Sequence, residues 1–180
     1  LATNLSVELR GYYSSARVNI DSTSGDNPDF STNKEFVGYA GVNFALLDGR
    51  FRNRVAYAHT DTDRDSFSPL RARALSFESN GQNRRWEYQG SFAVTQRISA
   101  VFGLENERSK FESRSPAGAL TTPLPPFSIG DAEITSIYGQ LNIEPIDGLT
   151  INGGVRHDDH SRYGAKTLFS TGAVWRLPTD

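Results

Sequence analysis

Two short runs of titratable residues are the first places to look for chemistry. The run His157-Asp158-Asp159-His160 combines imidazole and carboxylate groups, which suit zinc, nickel or manganese. Successive side chains of a β-strand point to opposite faces, however, so in a strand these groups cannot converge on one ion without a turn. We therefore expect this run to belong to a strand and its junction with a loop rather than to a metal centre.

The second run is Asp61-Thr62-Asp63-Arg64-Asp65. The carboxylates of Asp61, Asp63 and Asp65 could supply oxygen ligands to Ca²⁺, but the run lacks the glycine and the terminal glutamate of an EF-hand loop. A solvated loop base, with local pairing between the aspartates and Arg64, is the favoured interpretation. The sequence therefore predicts no metal site and no cofactor.

The remaining charged residues are spread along the chain and recur on alternate positions. Glu8, Glu87, Glu105 and Glu107 could be catalytic carboxylates, but the sequence has no nucleophile elbow, phosphate loop or triad spacing. Arginines interspersed among them favour an ion-pair network that faces a water-filled lumen, and no enzyme activity is predicted. The predicted network consists of Glu8, Arg10, Arg52, Arg54, Arg85, Glu87, Glu105 and Arg156.

The elements that would position these residues are β-strands. Over residues 137–144, apolar residues and glycine alternate with polar ones, and the pattern resumes over 149–156 after a turn that contains Asp147-Gly148. An α-helix, with its period of about 3.6, cannot separate residues in this way. The same test predicts eight strands, at about 3–18, 36–46, 51–63, 74–94, 97–113, 132–145, 148–159 and 166–178.

The connections between these strands are of two kinds, which alternate along the chain. Short turns lie near residues 47–50, 95–97 and 146–148, and longer connections lie near 19–35, 64–73, 114–131 and 160–165. All the short turns therefore fall at one end of the sheet. This asymmetry is typical of outer-membrane barrels, with tight periplasmic turns and long extracellular loops, and it predicts that both termini are periplasmic.

Composition limits the protein class. The chain has 180 residues, 37% of them hydrophobic, a mean hydropathy of -0.49, and no apolar stretch long enough for a membrane helix. Those values still allow a transmembrane barrel, which shows lipid only every second residue. The net charge of -2 gives no indication of nucleic-acid binding, and the lack of cysteine excludes disulfides. Because the chain begins at Leu1 without a leader, we expect a mature or excised segment.

Alternation alone does not separate a barrel from a soluble sandwich. Several predicted strands exceed the usual length of about 5 to 6 residues, whereas a tilted membrane strand needs about 9 to 11. Phe44, Phe51 and Trp175 also lie near short turns or the chain end, where an aromatic girdle would be. We predict an all-β, antiparallel up-and-down transmembrane β-barrel of about eight strands, closed alone or part of a larger barrel. A soluble enzyme or carbohydrate-binding sandwich is the less favoured alternative.

Several stretches resemble a known family. The run 147–160 reads DGLTINGGVRHDDH and is similar to a hairpin of the TonB-dependent receptors, especially of their cobalamin and siderophore branch, that follows the pattern dGLtlt-GgvRyDdHs. Further resemblance lies in residues 57–65, 85–90, 101–108 and 137–140. The resemblance covers most of the chain outside the loops.

The resemblance implies an outer-membrane barrel of twenty-two strands, surrounded by lipid, with a plug domain inside it and TonB as a partner. No plug domain or TonB-binding motif is recognisable in residues 1–180, and the ending 176–180 lacks a terminal aromatic. The resemblance therefore implies a single domain, residues 1–180, from within the barrel of a receptor for a metal chelate or cobalamin, and identifies no substrate-binding residue. The alternative is an autonomous eight-stranded barrel with a filled lumen and a structural or binding role.

Overall fold

The structure, a computed structural model, describes residues 5–21, 25–116 and 118–176. Eight strands form one antiparallel sheet in which each strand pairs with the next along the chain. Within the described residues, no helix is long and apolar enough to cross a membrane. The strands are β1 (Leu5–Asn19), β2 (Phe30–Leu46), β3 (Phe51–Phe67), β4 (Leu75–Ala93), β5 (Ile98–Arg114), β6 (Ser128–Ile146), β7 (Leu149–His160) and β8 (Gly164–Trp175).

The order of the strands makes this an up-and-down sheet, and the predicted all-β fold is confirmed. The described pairings join β1 to β2 and so on to β8, and none of them joins β8 back to β1. The sheet is therefore open, with β1 and β8 at its edges. Of the two arrangements that the sequence allows, this is the one expected for part of a larger barrel.

Several predicted strand ends are wrong. β2 begins at Phe30 rather than near 36, β3 continues to Phe67 rather than ending near 63, and β6 begins at Ser128 rather than near 132. The ladder continues there through pairs such as Phe30 with Phe67 and Ser113 with Ser128. In these segments both faces are largely polar, so apolar alternation disappears before backbone pairing does. The connections are correspondingly shorter, at 20–29, 68–74, 115–127 and 161–163. The last of them was predicted to be one of the longer connections, and that prediction is wrong, because 161–163 is as short as the turns at the other end of the sheet.

Cross-strand partners share a face of the sheet, so the register sorts the side chains into two faces. One row of direct partners is apolar, and we call its side the apolar face: Val7, Val42, Val55, Tyr88, Leu104 and Ile137. The opposite side, which carries all eight residues of the predicted network, is the polar face. Many large apolar side chains are exposed on the apolar face, such as Leu9 and Phe169, as a lipid-facing surface requires.

The large apolar residues of the apolar face form a band, and the edge of this band toward the long connections crosses the sheet obliquely. On β1 the band reaches Tyr13, whereas on β8 it ends at Phe169, whose row of partners leads through the sheet back to Leu5. The edge of the band therefore shifts by about eight residues over seven strand pairs. At about 3.3 Å per residue and about 4.8 Å between strands, this shift corresponds to strands tilted by about 38° from the normal to the band edge. Membrane barrels tilt their strands by about 35–45°.

Two of the three short turns contain left-handed backbone. Leu47 and Asp48 have φ of 54° and 52°, and Gly49 has φ of 87°. The turn is closed by the N–H of Gly49, which donates to the carbonyl of Leu46 at 3.2 Å. At the β6–β7 turn Gly148 takes φ of 81°, a conformation that costs little only for glycine.

Candidate functional site

The charged residues at the centre of the polar face lie on three neighbouring levels of the sheet. The middle level is a row of consecutive cross-strand partners: Glu8, Gly41, Ala56, Glu87, Glu105, Ser136 and Asp158. The level nearer the short turns carries Arg54 and Arg156, and the level nearer the long connections carries Arg10 and Arg85. A row of carboxylates therefore lies between two rows of guanidinium groups.

Glu87 and Glu105 face each other directly across β4 and β5. Like charges in that position destabilise a sheet, and arginines offset the repulsion. The Arg85 guanidinium lies 3.6 Å from a Glu87 oxygen and 3.1 Å from Oε1 of Glu105. Arg54 approaches Glu87 at 3.2 Å, and Arg156 approaches Glu105 at 2.8 Å. Each carboxylate is thus paired with two guanidinium groups.

Arg156 extends the set to β7. Its Nε lies 2.7 Å from Oδ1 of Asp158, and one of its terminal nitrogens donates to Oγ of Ser136 at 2.8 Å. We call the connected set the ion-pair network: Arg54, Arg85, Glu87, Glu105, Arg156 and Asp158. Its three cations balance its three anions. A neutral, fully paired wall of this kind holds its side chains in place but exerts little net field on a charged ligand.

Small residues on the middle level make room for this network. Ala56 and Ser136 flank the two glutamates and are 2% and 1% exposed. Short side chains there allow the long arginine side chains of the adjacent levels to reach the carboxylates. Tyr39 adds a further contact, because its hydroxyl accepts a hydrogen bond of 2.8 Å from Arg54.

The structure brings five of the eight predicted residues into this network. Glu8 and Arg10 form a separate, exposed pair at 3.4 Å. Arg52, two residues before Arg54 on the same face, has no ion pair with the other described residues. The sequence prediction omitted Asp158. Its spacing of two from Arg156 puts opposite charges on one face of a strand, and that signal could have identified it.

The histidine-containing run does not converge on one point. His157 and Asp158 have Ile137 and Ser136 as their partners on β6, so they lie on opposite faces, as the alternation predicts. Nδ1 of His157 lies 2.8 Å from Oγ1 of Thr167, whereas Nδ1 of His160 accepts the N–H of Arg162 at 3.0 Å. Among the described residues, no group of three or more histidines and carboxylates is placed to hold a metal ion.

The aspartate run differs from the expected loop base. Asp61, Asp63 and Asp65 lie within β3 and pair with residues of β4. Alternation puts these three side chains on one face and Arg64 on the other, which is why the expected Asp–Arg pairing does not form. Asp61 is instead held by Nε2 of His59 at 2.5 Å and by Nε2 of Gln82 at 3.0 Å.

Side-chain hydrogen bonds connect the long connections at their end of the sheet. Arg73, in 68–74, donates to the carbonyls of Ala119 and Leu120 at 3.1 and 3.3 Å, and also to that of Thr122. Ser68 donates to a carboxylate oxygen of Asp29 at 3.0 Å. The three long connections, 20–29, 68–74 and 115–127, are thereby linked to one another.

Solved structures share this fold. The siderophore receptor PirA from Pseudomonas aeruginosa aligns with a TM-score of 0.59 and 20% identity, over 96% of this chain and 34% of that chain. The RagAB peptide transporter aligns with a TM-score of 0.53 and 14% identity, over 82% of this chain and 20% of that chain. The chain thus spans about a third or less of these proteins. No curated protein matches it.

The sequence model of one family matches nearly the whole chain. The match covers residues 2–180 and is described as "TonB dependent receptor-like, beta-barrel". Barrels of this family lie in the bacterial outer membrane, which agrees with the apolar face, the strand tilt and the position of the three long connections at one end of the sheet. The chain therefore belongs to the TonB-dependent receptor-like β-barrel family and forms part of such a barrel.

Proposed function

We propose that this chain is part of the barrel wall of an outer-membrane receptor that takes up a scarce nutrient with energy delivered through TonB. One observation carries the proposal: long tilted strands expose an apolar face on one side and hold an ion-paired polar face on the other. A wall between lipid and a watery interior needs this division. The similarity to a siderophore receptor favours a metal chelate as the nutrient, with cobalamin as the second candidate.

The polar face would contact the plug domain inside the barrel. The ion-pair network satisfies its own charges, so it would act as a fixed wall rather than as a charged docking site. Charged residues outside the network would be the ones to form ion pairs with the plug. They are Arg52 near the short turns and the exposed pair of Glu8 and Arg10. A plug carboxylate near Arg52 would gain a charge-assisted hydrogen bond.

The short turns would lie in the periplasm and the long connections outside the cell. Arg73 would then hold two extracellular loops together at the mouth of the barrel. Ligand contacts in this kind of scaffold come from loops positioned by rigid strands.

The test is uptake by cells that express the full-length receptor as their single copy. We expect deletion to abolish accumulation of a radiolabelled iron chelate, the wild-type gene to restore it, and loss of TonB to abolish it again. Labelled cobalamin and a labelled peptide are the comparison substrates. A deletion strain that accumulates all three normally would contradict the proposed uptake, and accumulation that persists without TonB would contradict the energy source.

A further inference from the structure

The sheet drops in height between β6 and β7 at the end that carries the long connections. The last pair that joins these two strands there is Ile134 with His160, and β7 ends at that pair. β6 extends beyond it through residues 128–133, which pair with β5 on their other side. β8 begins at Gly164, directly after the turn 161–163, so it reaches no higher than β7. A segment of β6 about 20 Å long therefore stands above the β7–β8 turn with a partner strand on one side only among the described residues.

The backbone of this segment directs hydrogen-bonding groups toward the empty side. The carbonyl of Glu133 accepts the N–H of Ser161 in the turn at 2.9 Å, and the N–H of Glu133 donates to the Ser161 hydroxyl at 3.0 Å. In an antiparallel sheet both backbone groups of a residue point to the same neighbour, and every second residue points to the same side. The N–H and C=O groups of Asp131 and Ile129 therefore also point away from β5, and they have no backbone hydrogen bond on that side with the described residues. We call residues 128–132 the free edge of β6.

The neighbouring connections leave the free edge open. The connection 115–127 leads into β6, but its carbonyl groups accept from Arg73 in 68–74, which joins β3 to β4. That connection is thereby held toward the far side of β5. Arg162 of the β7–β8 turn pairs with the carboxylate of Asp131 at 3.3 Å, which leaves the backbone groups of Asp131 available. The space above β7 and β8 is two strands wide, about 10 Å, whereas an added strand needs about 5 Å.

The side chains along the free edge suit an added strand. On the polar face Phe111 is the cross-strand partner of Gly130, and its side chain is half-exposed. A Cβ built at Gly130 would have only the carbonyl oxygen of Phe111 nearby, at 4.0 Å. A residue placed opposite Gly130 on an added strand could therefore extend a large apolar side chain over this glycine and cover the exposed ring. On the other face Ile129 is exposed as well.

We propose that the free edge of β6 binds an extended peptide segment of a partner protein by β-strand addition, with a large apolar side chain of that segment over Gly130 and against Phe111. The unpaired N–H and C=O groups of an edge are a template for a further strand. In this mode of recognition main-chain hydrogen bonds give affinity, and contacts with alternate side chains give specificity. In the proposed orientation the partner reaches the edge from outside the cell. Binding itself depends only on the geometry of the sheet and not on nutrient uptake.

The experiment measures binding of a fluorescein-labelled peptide, Lys-Thr-Val-Thr-Phe-Thr-Val-Thr-Lys, to the full-length receptor in detergent by fluorescence anisotropy. Alternation in this peptide puts its valines and phenylalanine on one face, and we expect saturable binding. Asp131→Pro should weaken binding by at least about fivefold, because it removes a donor from the free edge. The sheet itself loses no hydrogen bond, since proline is tolerated where the N–H of an edge strand faces solvent. The matched control is Asp131→Ala, which also removes the carboxylate that pairs with Arg162 but keeps the N–H, and it should bind like the wild type. Replacing the phenylalanine of the peptide by serine should weaken binding to the wild type as well.

Three results would overturn the proposal. The wild type could fail to bind the peptide, Asp131→Pro and Asp131→Ala could bind it equally well, or the serine peptide could bind as tightly as the phenylalanine peptide. If the wild type does not bind and Asp131→Pro also lowers the urea midpoint of the receptor relative to Asp131→Ala, another segment of the receptor already pairs with the edge. Nutrient uptake separates this inference from the proposed function, because both variants should still transport. If the wild type itself transports nothing, the receptor function fails while the anisotropy result still decides the peptide site.

Discussion

Glu105 and Glu8 lie on the same level of the polar face but in different surroundings. Glu105 is paired with two arginines and its side chain is 17% exposed, whereas Glu8 is paired with one arginine and is 44% exposed. A carboxylate that neutralises two partly buried guanidinium groups cannot be removed without leaving both undercompensated. An exposed pair contributes little. The two glutamates should therefore respond differently to the same substitution.

We expect Glu105→Gln to lower the stability of the receptor by about 1–2 kcal/mol, less than for a fully buried pair because water screens part of the loss. Glu8→Gln should change stability by less than about 0.5 kcal/mol. The measurement is the urea midpoint at which the unboiled, fast-migrating band disappears from a gel of receptor in detergent. Equal midpoints for the two variants would mean that the network does not stabilise the barrel.

Alternation along the sequence was sufficient to put Arg54, Arg85 and Arg156 on one face, but not to pair them. Pairing depends on register, and the register places Glu87 opposite Glu105 with Arg85 between them. Asp158 was missed for a different reason. Its histidine neighbours favour a metal-binding interpretation of the run 157–160, whereas its carboxylate pairs with Arg156 on the same face of the strand.

The β6–β7 turn depends on one glycine. Gly148 has φ of 81°, and a Cβ there would lie 2.8 Å from the carbonyl oxygen of Arg176. Gly153, on the apolar face of β7, has nothing within 4 Å of the corresponding position. Both the backbone conformation and the nearby carbonyl oxygen therefore require glycine at position 148, whereas neither a positive φ nor a close neighbour requires it at position 153.

Gly148→Ala should destabilise the receptor by about 1–2 kcal/mol, since a left-handed residue with a side chain is strained and this one also clashes. Gly153→Ala should be neutral or slightly stabilising, because a strand interior favours a residue with a side chain. Urea midpoints of the two variants, measured on the same gel assay, give the comparison. A tolerated Gly148→Ala would show that the turn can rearrange.

The strand segments that lie outside the predicted strand ranges share one property. Around Asp63 and Arg64, and again over 30–35 and 128–131, both faces carry mainly polar residues while the backbone ladder continues. Apolar alternation detects the part of a strand that lies in hydrocarbon. It cannot detect the part that projects into water, where only backbone hydrogen bonds and packing between strands mark the element.

The alternation of short turns and long connections predicts a direction across the membrane. The chain has no cysteine, so single cysteines can be introduced at Leu70 in 68–74 and at Asp147 in the β6–β7 turn, both of which are exposed. A membrane-impermeant maleimide should label Leu70→Cys on intact cells and Asp147→Cys only after permeabilisation. Labelling in the reverse order would invert the proposed orientation.

The open sheet leaves two edges whose backbone groups need partners in a membrane. β1 and β8 each pair on one side among the described residues, and both carry apolar side chains that are exposed. In hydrocarbon every unpaired backbone group costs several kcal/mol, and an exposed edge of this length pairs readily with other chains. The remaining strands of a larger barrel would satisfy both edges.

We therefore expect the 180-residue chain, expressed alone and refolded in detergent, to aggregate or to show no difference in gel mobility between boiled and unboiled samples. The full-length receptor, treated identically, should give a faster band when unboiled. The reason is energetic: closing β1 directly onto β8 would require eight strands to curve tightly around a lumen filled by side chains, including the long arginines of the ion-pair network. A compact, heat-sensitive band from the chain alone, with β-type circular dichroism, would show that this closure is accessible and would favour the autonomous eight-stranded barrel over an arc of a larger wall.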